Sequence, residues 1–190
     1  MLPVYASPYS VAPDEIATFL ATLDEISHGR AALSLGHHTT EMLEWVGIKA
    51  ADPVRRTREA VELIRKCFKS FDRKNAEPFT GKEFSWTDQA YLRFKPLREN
   101  PPIYISPHGK GFLELCGEIG DGAIPMMAPP ESAPYVVNSI REGCKRRARD
   151  TSEVDIVAFV WISISKEDPI KAKQMMKRVV AYFAPFLKDE

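Results

Sequence analysis

The stretch NPPIYISPHGKGF (Asn100–Phe112) decides how the chain is read. Ile103-Tyr104-Ile105 is a short apolar β-type run that ends in Ser106-Pro107-His108-Gly109-Lys110-Gly111, and a helical pattern follows from Phe112 to Ile119. A strand apolar at consecutive rather than alternate positions is buried on both faces. The same character recurs in AIPMM (Ala123–Met127) and DIVAFVWISI (Asp155–Ile164), with helical patterns between and after them around Ser132–Arg149 and Pro169–Phe186. Buried strands alternating with helices form a parallel sheet.

Working back toward the N-terminus, the same grammar holds. APDEIATFLATLDEISHG predicts a helix with Pro13 in its first turn, Gly29 past its end, and Ile16, Phe19, Leu20, Leu23 and Ile26 on one apolar face. RAALSLG is a short apolar strand, and DPVRRTREAVELIRKCF a helix capped by Asp52 with Pro53 at its first position. EPFTGKEFSW and QAYLRFKPL interrupt the alternation, and their aromatic spacing around Thr80-Gly81 predicts a small β-hairpin insertion that decorates the domain. With LPVYAS as the first strand the chain has about five βα units, too few for an eight-unit barrel of roughly 250 residues.

Composition narrows the function classes. The 26 basic and 26 acidic residues among 190 leave no net charge, which argues against electrostatic binding to nucleic acid or a membrane surface and favours a small-molecule partner. Cys67, Cys116 and Cys144 lie in apolar helical settings and read as reduced core thiols. With no run of eighteen apolar residues and no basic leader, a cytoplasmic protein of one domain, residues 1–190, is expected.

Several segments together, SPYSVAPDEIATFLATLDEISHGRAALSLG, DPVRRTREAVELIRKCF, FTGKEF, LRFKPLRENPPIYIS and GKGFLELCGEIGDGAI, resemble the luciferase-like flavin and deazaflavin oxidoreductases. The similarity is greatest to the methylenetetrahydromethanopterin reductase branch. The resemblance implies an incomplete TIM-barrel-like fold, truncated relative to a full (β/α)8 barrel and matching roughly its third to seventh units. It also implies coenzyme F420, with FMN as the alternative, bound at the carboxyl ends of the strands.

The site residues follow position by position. Val4, Tyr5, Ala6 and Ser7 match a family strand end that often carries a bulge and a non-prolyl cis peptide against the cofactor ring; read by themselves they form an ordinary strand. Gly36 matches a glycine-rich turn where backbone approaches the ring, but Ser34, His37 and His38 stand where smaller residues are expected. The two imidazoles either crowd the ring or bind it differently. Gly109 matches the loop and helix start that hold the cofactor phosphate, where Ser106, His108, Lys110 and Gly111 offer donors or close backbone approach, with Lys110 in place of the usual proline. Without the resemblance this stretch is a glycine-rich connection. A metal at His37, His38 and His108 is disfavoured, because neighbouring strand residues point to opposite faces and no HxH or HExxH pattern is present.

The implied activity is hydride transfer between reduced F420 and methylene-tetrahydromethanopterin or a similar substrate. Two alternatives stand beside it: a noncatalytic shortened member that binds flavin or serves as an interaction protein, and an FMN-dependent monooxygenase. No catalytic residue is named, since the resemblance places the family's early-strand acidic and polar groups outside the matched units. An unclosed barrel leaves strand edges and apolar surface, so a homodimer or a sheet-completing partner is expected. Trp86, Trp161 and Met126-Met127 read as core or interface residues, Asp121-Gly122 as a packing turn, and the basic run Lys145–Arg149 as a solvated helix end.

Overall fold

The computed structural model describes residues 2–126 and 128–184. In chain order the elements are β1 (Leu2–Ala6), α1 (Pro13–Ile26), β2 (Ala31–Leu35), α2 (Thr40–Trp45), α3 (Pro53–Lys69), β3 (Phe79–Thr80), β4 (Ser85–Trp86), β5 (Ile103–Ile105), α4 (Gly109–Ile119), β6 (Gly122–Ala123), α5 (Ala133–Arg146), β7 (Asp155–Ile156) and α6 (Pro169–Phe183). β1, β2, β5, β6 and β7 form one parallel sheet in chain order, while β3 and β4 make a separate antiparallel hairpin. The sheet is open, with β1 and β7 at its edges.

Strand residues alternate between two different surroundings. Leu33, Leu35, Ile103 and Ile105 join Ile16, Leu20, Ile64, Phe68, Leu115 and Ile140 in one hydrophobic core on the helix side. The intervening Ser34, Tyr104 and Ser106 are also buried, but they belong to the concave side of the sheet. The inner strands β2 and β5 are thus buried on both faces, while only one face contributes to the apolar core, and the edge strands β1 and β7 stay partly exposed.

The helix starts follow the sequence signals. Asp52 Oδ1 accepts the Arg55 N–H at 3.0 Å with Pro53 opening α3, and Asp168 caps α6 through Lys171 N–H at 2.8 Å. Gly29, at φ +79°, closes α1 by donating to the Asp24 carbonyl at 2.8 Å. Beneath the sheet, Arg98 pairs with buried Asp24 at 2.6 Å and donates to the Ala31 carbonyl. Asp121, read as a packing turn, accepts from Ile103 N–H at 2.8 Å and Arg65 at 3.0 Å, stapling the start of β5 to α3.

Five expectations need correction. α1 buries Ile16, Ala17, Leu20, Ala21 and Asp24, so its inward stripe is rotated from the predicted one and leaves Phe19 and Ile26 exposed. The glycine-rich turn before Phe112 is itself the first turn of α4, and the loop after β2 holds the short helix α2, capped by Thr39. β6 ends at Ala123 rather than Met127, since Pro125 has no N–H to donate; Met127 lies outside the described residues. β7 pairs only at Asp155 and Ile156, and Val157, Phe159, Val160, Ile162 and Ile164 beyond it are exposed. Their neighbour β6 has already stopped, and no described strand lies on their other side to share a ladder. α6 buries none of its residues, and Phe186 of its predicted span lies outside the described residues.

The basic run is more than a solvated end. Arg146 bridges Glu114 at 2.9 Å and Glu118 at 3.0 Å, and Arg149 donates to the Gly117 carbonyl at 3.0 Å, so α5 is clamped to α4. A Cβ on Gly117 would collide with the Ile140 carbonyl, and one on Gly143 with the Glu114 carbonyl. The two helix backbones meet at these glycines. Trp86 packs against the core, Trp161 lies between Phe159 and Phe183, and the three cysteines are buried and free.

Candidate functional site

Because all five strands run the same way, their carboxyl ends share one pole of the sheet, the place where parallel α/β proteins collect their functional loops. Ser7 to Ser10 follow β1, Gly36 to Thr39 follow β2, Ser106 to His108 follow β5, and Ile124 to Met126 follow β6. Ser34 and Ser106 meet through their hydroxyls at 3.1 Å across the β2–β5 pair.

The two adjacent histidines lie in the loop after β2, which ends at Leu35, so the loop backbone and not strand alternation sets them apart. His37 turns to the helix side, stacked on Phe112 at 4.2 Å with planes 9° apart and edge-on to His108 at 5.3 Å. It is buried, its Nδ1 finds no hydrogen-bond partner, and its pKa is pulled down to about 3 by burial and then by the neighbouring His108 and His38. His37 is therefore a neutral packing residue. His38 sits at φ +63° and faces the other way, edge-on to the Tyr5 ring at 5.7 Å.

β1 is a regular strand paired with β2 over its whole length, and among the described residues no peptide bond is cis. Its Tyr5 lies over Gly36: a Cβ on that glycine would stand 2.7 Å from the ring. The close backbone approach that Gly36 permits is thus used by this chain's own tyrosine. Tyr5 also joins Val4, Ala6 and Ser7 in lining an apolar groove of about 340 Å³ between the sheet edge and α1, together with Val11 and Phe19.

The β5 end gives a different picture. Gly109 stands at φ +75° with no atom within 4 Å of where a Cβ would be, and its N–H opens the first turn of α4. It borders a pocket of about 400 Å³ with Pro107, Leu113, Pro125 and Ser132, between the starts of α4 and α5. An exposed helix start with glycine at its first positions suits an anion. Lys110 leans along α4 toward Glu114 at 3.8 Å.

Two further polar groups escaped the sequence reading. Tyr104 donates to Asp155 at 2.8 Å across the concave face, and burial, followed by this bond, pushes its pKa up to about 12. A Cβ on the intervening Gly122 would collide with the Tyr104 ring, so the glycine's position opposite a tyrosine in the register was the available signal. Arg56, read only as part of a helix, reaches the loop after β1. Among the described residues no group of three or more His, Cys, Asp or Glu is placed to hold a metal ion. Among the same residues no helix is long and apolar enough to cross a membrane.

Parallel strands in chain order, helices packed on one side and loops gathered at the carboxyl pole define a TIM-barrel-like α/β protein with an unclosed sheet. The particular family is the luciferase-like monooxygenases, whose model matches residues 5–189, and the chain belongs to it. It is 33% identical over 180 residues to the 5,10-methylenetetrahydromethanopterin reductase of Archaeoglobus fulgidus, covering 95% of this chain and 52% of that protein. Identity to the reductase of the same name from Methanolobus tindarius is 32%, over 93% of this chain and 52% of the relative. Among solved structures, the coenzyme F420 dependent tetrahydromethanopterin reductase from Methanopyrus kandleri superposes with a TM-score of 0.81 at 26% identity, over 94% of this chain and 54% of that one. An F420-dependent secondary alcohol dehydrogenase with an F420–acetone adduct gives a TM-score of 0.80 at 25% identity, over 97% of this chain and 55% of that one. The chain spans about half the length of the relatives it matches.

Proposed function

We propose that the carboxyl pole of this sheet binds coenzyme F420, and that the chain, as a single truncated barrel domain of the cytoplasm, serves hydride transfer to methylene-tetrahydromethanopterin or a similar substrate. The observation that carries this reading is the open first turn of α4 at Gly109, beside a pocket of about 400 Å³, in a chain whose fold matches an F420 dependent tetrahydromethanopterin reductase and an F420-dependent alcohol dehydrogenase. The anionic end of the cofactor suits the N–H groups of Gly109, Lys110 and Gly111, where the helix dipole and the absent Cβ atoms favour phosphate. Ser106, near the same turn, supplies a hydroxyl already engaged with Ser34. When bound, F420 supplies the hydride chemistry, and the protein's share is to orient the ring and exclude water.

The ring end fits only if Tyr5 leaves Gly36. A second reading follows where it does not leave, a family member that holds the anionic end of a flavin-type cofactor without seating its ring for turnover. Titration with F420 and with FMN, followed by a hydride-transfer assay on the methylene-pterin, separates them. Saturable F420 binding with turnover supports the reductase, binding without turnover supports the second reading, and saturation by neither cofactor overturns both.

The apolar surface of Val160, Ile162 and Ile164, each 69 to 84% exposed, together with Ile170 of α6, supports a covering partner, which we take to be a second copy of the chain. Sedimentation should give a dimer mass; a stable monomer contradicts this part of the proposal.

A further inference from the structure

The β3–β4 hairpin, expected to be decoration, is wired into the loop that follows β1. Glu59 of α3 is buried, and its carboxylate accepts the backbone N–H groups of Lys82, Glu83 and Phe84 at 2.9, 2.9 and 3.0 Å. Three N–H donors on one carboxylate form a charge-assisted anchor stronger than an ordinary turn contact. A Cβ on Gly81 would run into that carboxylate, so the tip is shaped to receive it.

One turn earlier on the same face of α3, Arg56 carries the fixation onward. Its Nε donates to the Pro8 carbonyl at 3.0 Å, its Nη1 meets Glu83 at 3.4 Å, and its guanidinium carbon lies 4.8 Å from the Tyr9 ring and 4.5 Å from the Phe84 ring. The guanidinium therefore joins hairpin to loop through both ring faces and a backbone acceptor, contacts an ammonium cannot reproduce. The loop it holds is a tight one, with Ser10 and Val11 N–H both bonded to the Ser7 carbonyl at 3.1 and 3.0 Å.

We propose that the hairpin is a strut and that Glu59 and Arg56 are positioning residues which fix the Ser7–Ser10 turn at the carboxyl end of β1 for cofactor binding. The functional half of this rests on the F420 reading of the pole; the mechanical half does not. Three segments far apart in sequence converge on it, and none of the residues needs to touch the cofactor.

The test uses Arg56→Ala, Arg56→Lys and Gly81→Ala, with Asp24→Asn as a control that loosens the opposite pole. Amide exchange at Ser10 and Val11 is read without cofactor, and F420 affinity is read by titration. The strut predicts faster exchange at both amides in all three variants and not in the control, no rescue by lysine, and F420 affinity weakened on the order of tenfold to a hundredfold. Unchanged exchange in Arg56→Ala and Gly81→Ala, or full rescue by Arg56→Lys, overturns the strut. Faster exchange with unaltered F420 affinity overturns the positioning role. If the parent chain does not bind F420, the cofactor reading fails and the positioning role with it, while exchange still decides the mechanical claim.

Discussion

The α4–α5 pair and the C-terminal run through α6 are built from comparable amphipathic sequence, yet one is closed to solvent and the other is not. α5 buries Val136, Ser139, Ile140, Gly143 and Cys144 against α4, at a distance set by Gly117 and Gly143 and clamped by Arg146. α6 buries nothing, and the apolar residues leading into it face outward. Apolar periodicity says which face a helix offers; burial also needs a surface at the right distance. The first region has such a surface within the described chain, and the second does not.

The sharpest way to break the comparison is to push α4 and α5 apart. Gly143→Ala places a methyl group against the Glu114 carbonyl and should cost on the order of 3 kcal/mol, measured as a lower urea midpoint. Asp24→Asn should cost less, about 2 kcal/mol, because Arg98 keeps 32% exposure and water relieves its lost partner.

His37 gives a smaller, pH-dependent effect. Its pKa is about 3 in the folded chain against an ordinary 6.5, so between those values the unfolded state binds more protons and stability falls as pH drops. His37→Phe keeps the stack on Phe112 and should flatten the slope of urea midpoint against pH in that window. A slope unchanged by the substitution would show that other groups set the acid response. The smallest effect belongs to the open region: Ile162→Ser should alter the stability of the single chain by no more than about 0.5 kcal/mol while lowering its association in sedimentation.

Much of the fold was legible because its signals are local. Asp52-Pro53, Gly29 and the apolar Ile103–Ile105 acted as the sequence grammar says they should. The length of β7 was not, since an apolar run reads the same whether or not a neighbouring strand continues beside it. At the site, the glycine of the α4 turn was legible, whereas the separation of His37 and His38 has a different cause from the strand alternation expected, since β2 ends at Leu35 and His38 turns at φ +63°. Tyr5 over Gly36, Tyr104 on Asp155, and the links from Arg56 and Glu59 were not, because each joins segments that only the folded chain brings together. Gly117 and Gly143 carried a signal, since a glycine inside a helical pattern often marks close backbone packing.

The central claim is that the carboxyl pole, centred on the first turn of α4, receives the cofactor. Amide chemical shifts followed during an F420 titration test it most directly. The account predicts saturable changes at Ser106 through Gly111, at Gly36 and His38 and in the Ser7–Ser10 turn, with Asp24, Arg98 and Asp121 at the opposite pole unmoved. Changes confined to that opposite pole, or none that saturate, would contradict it.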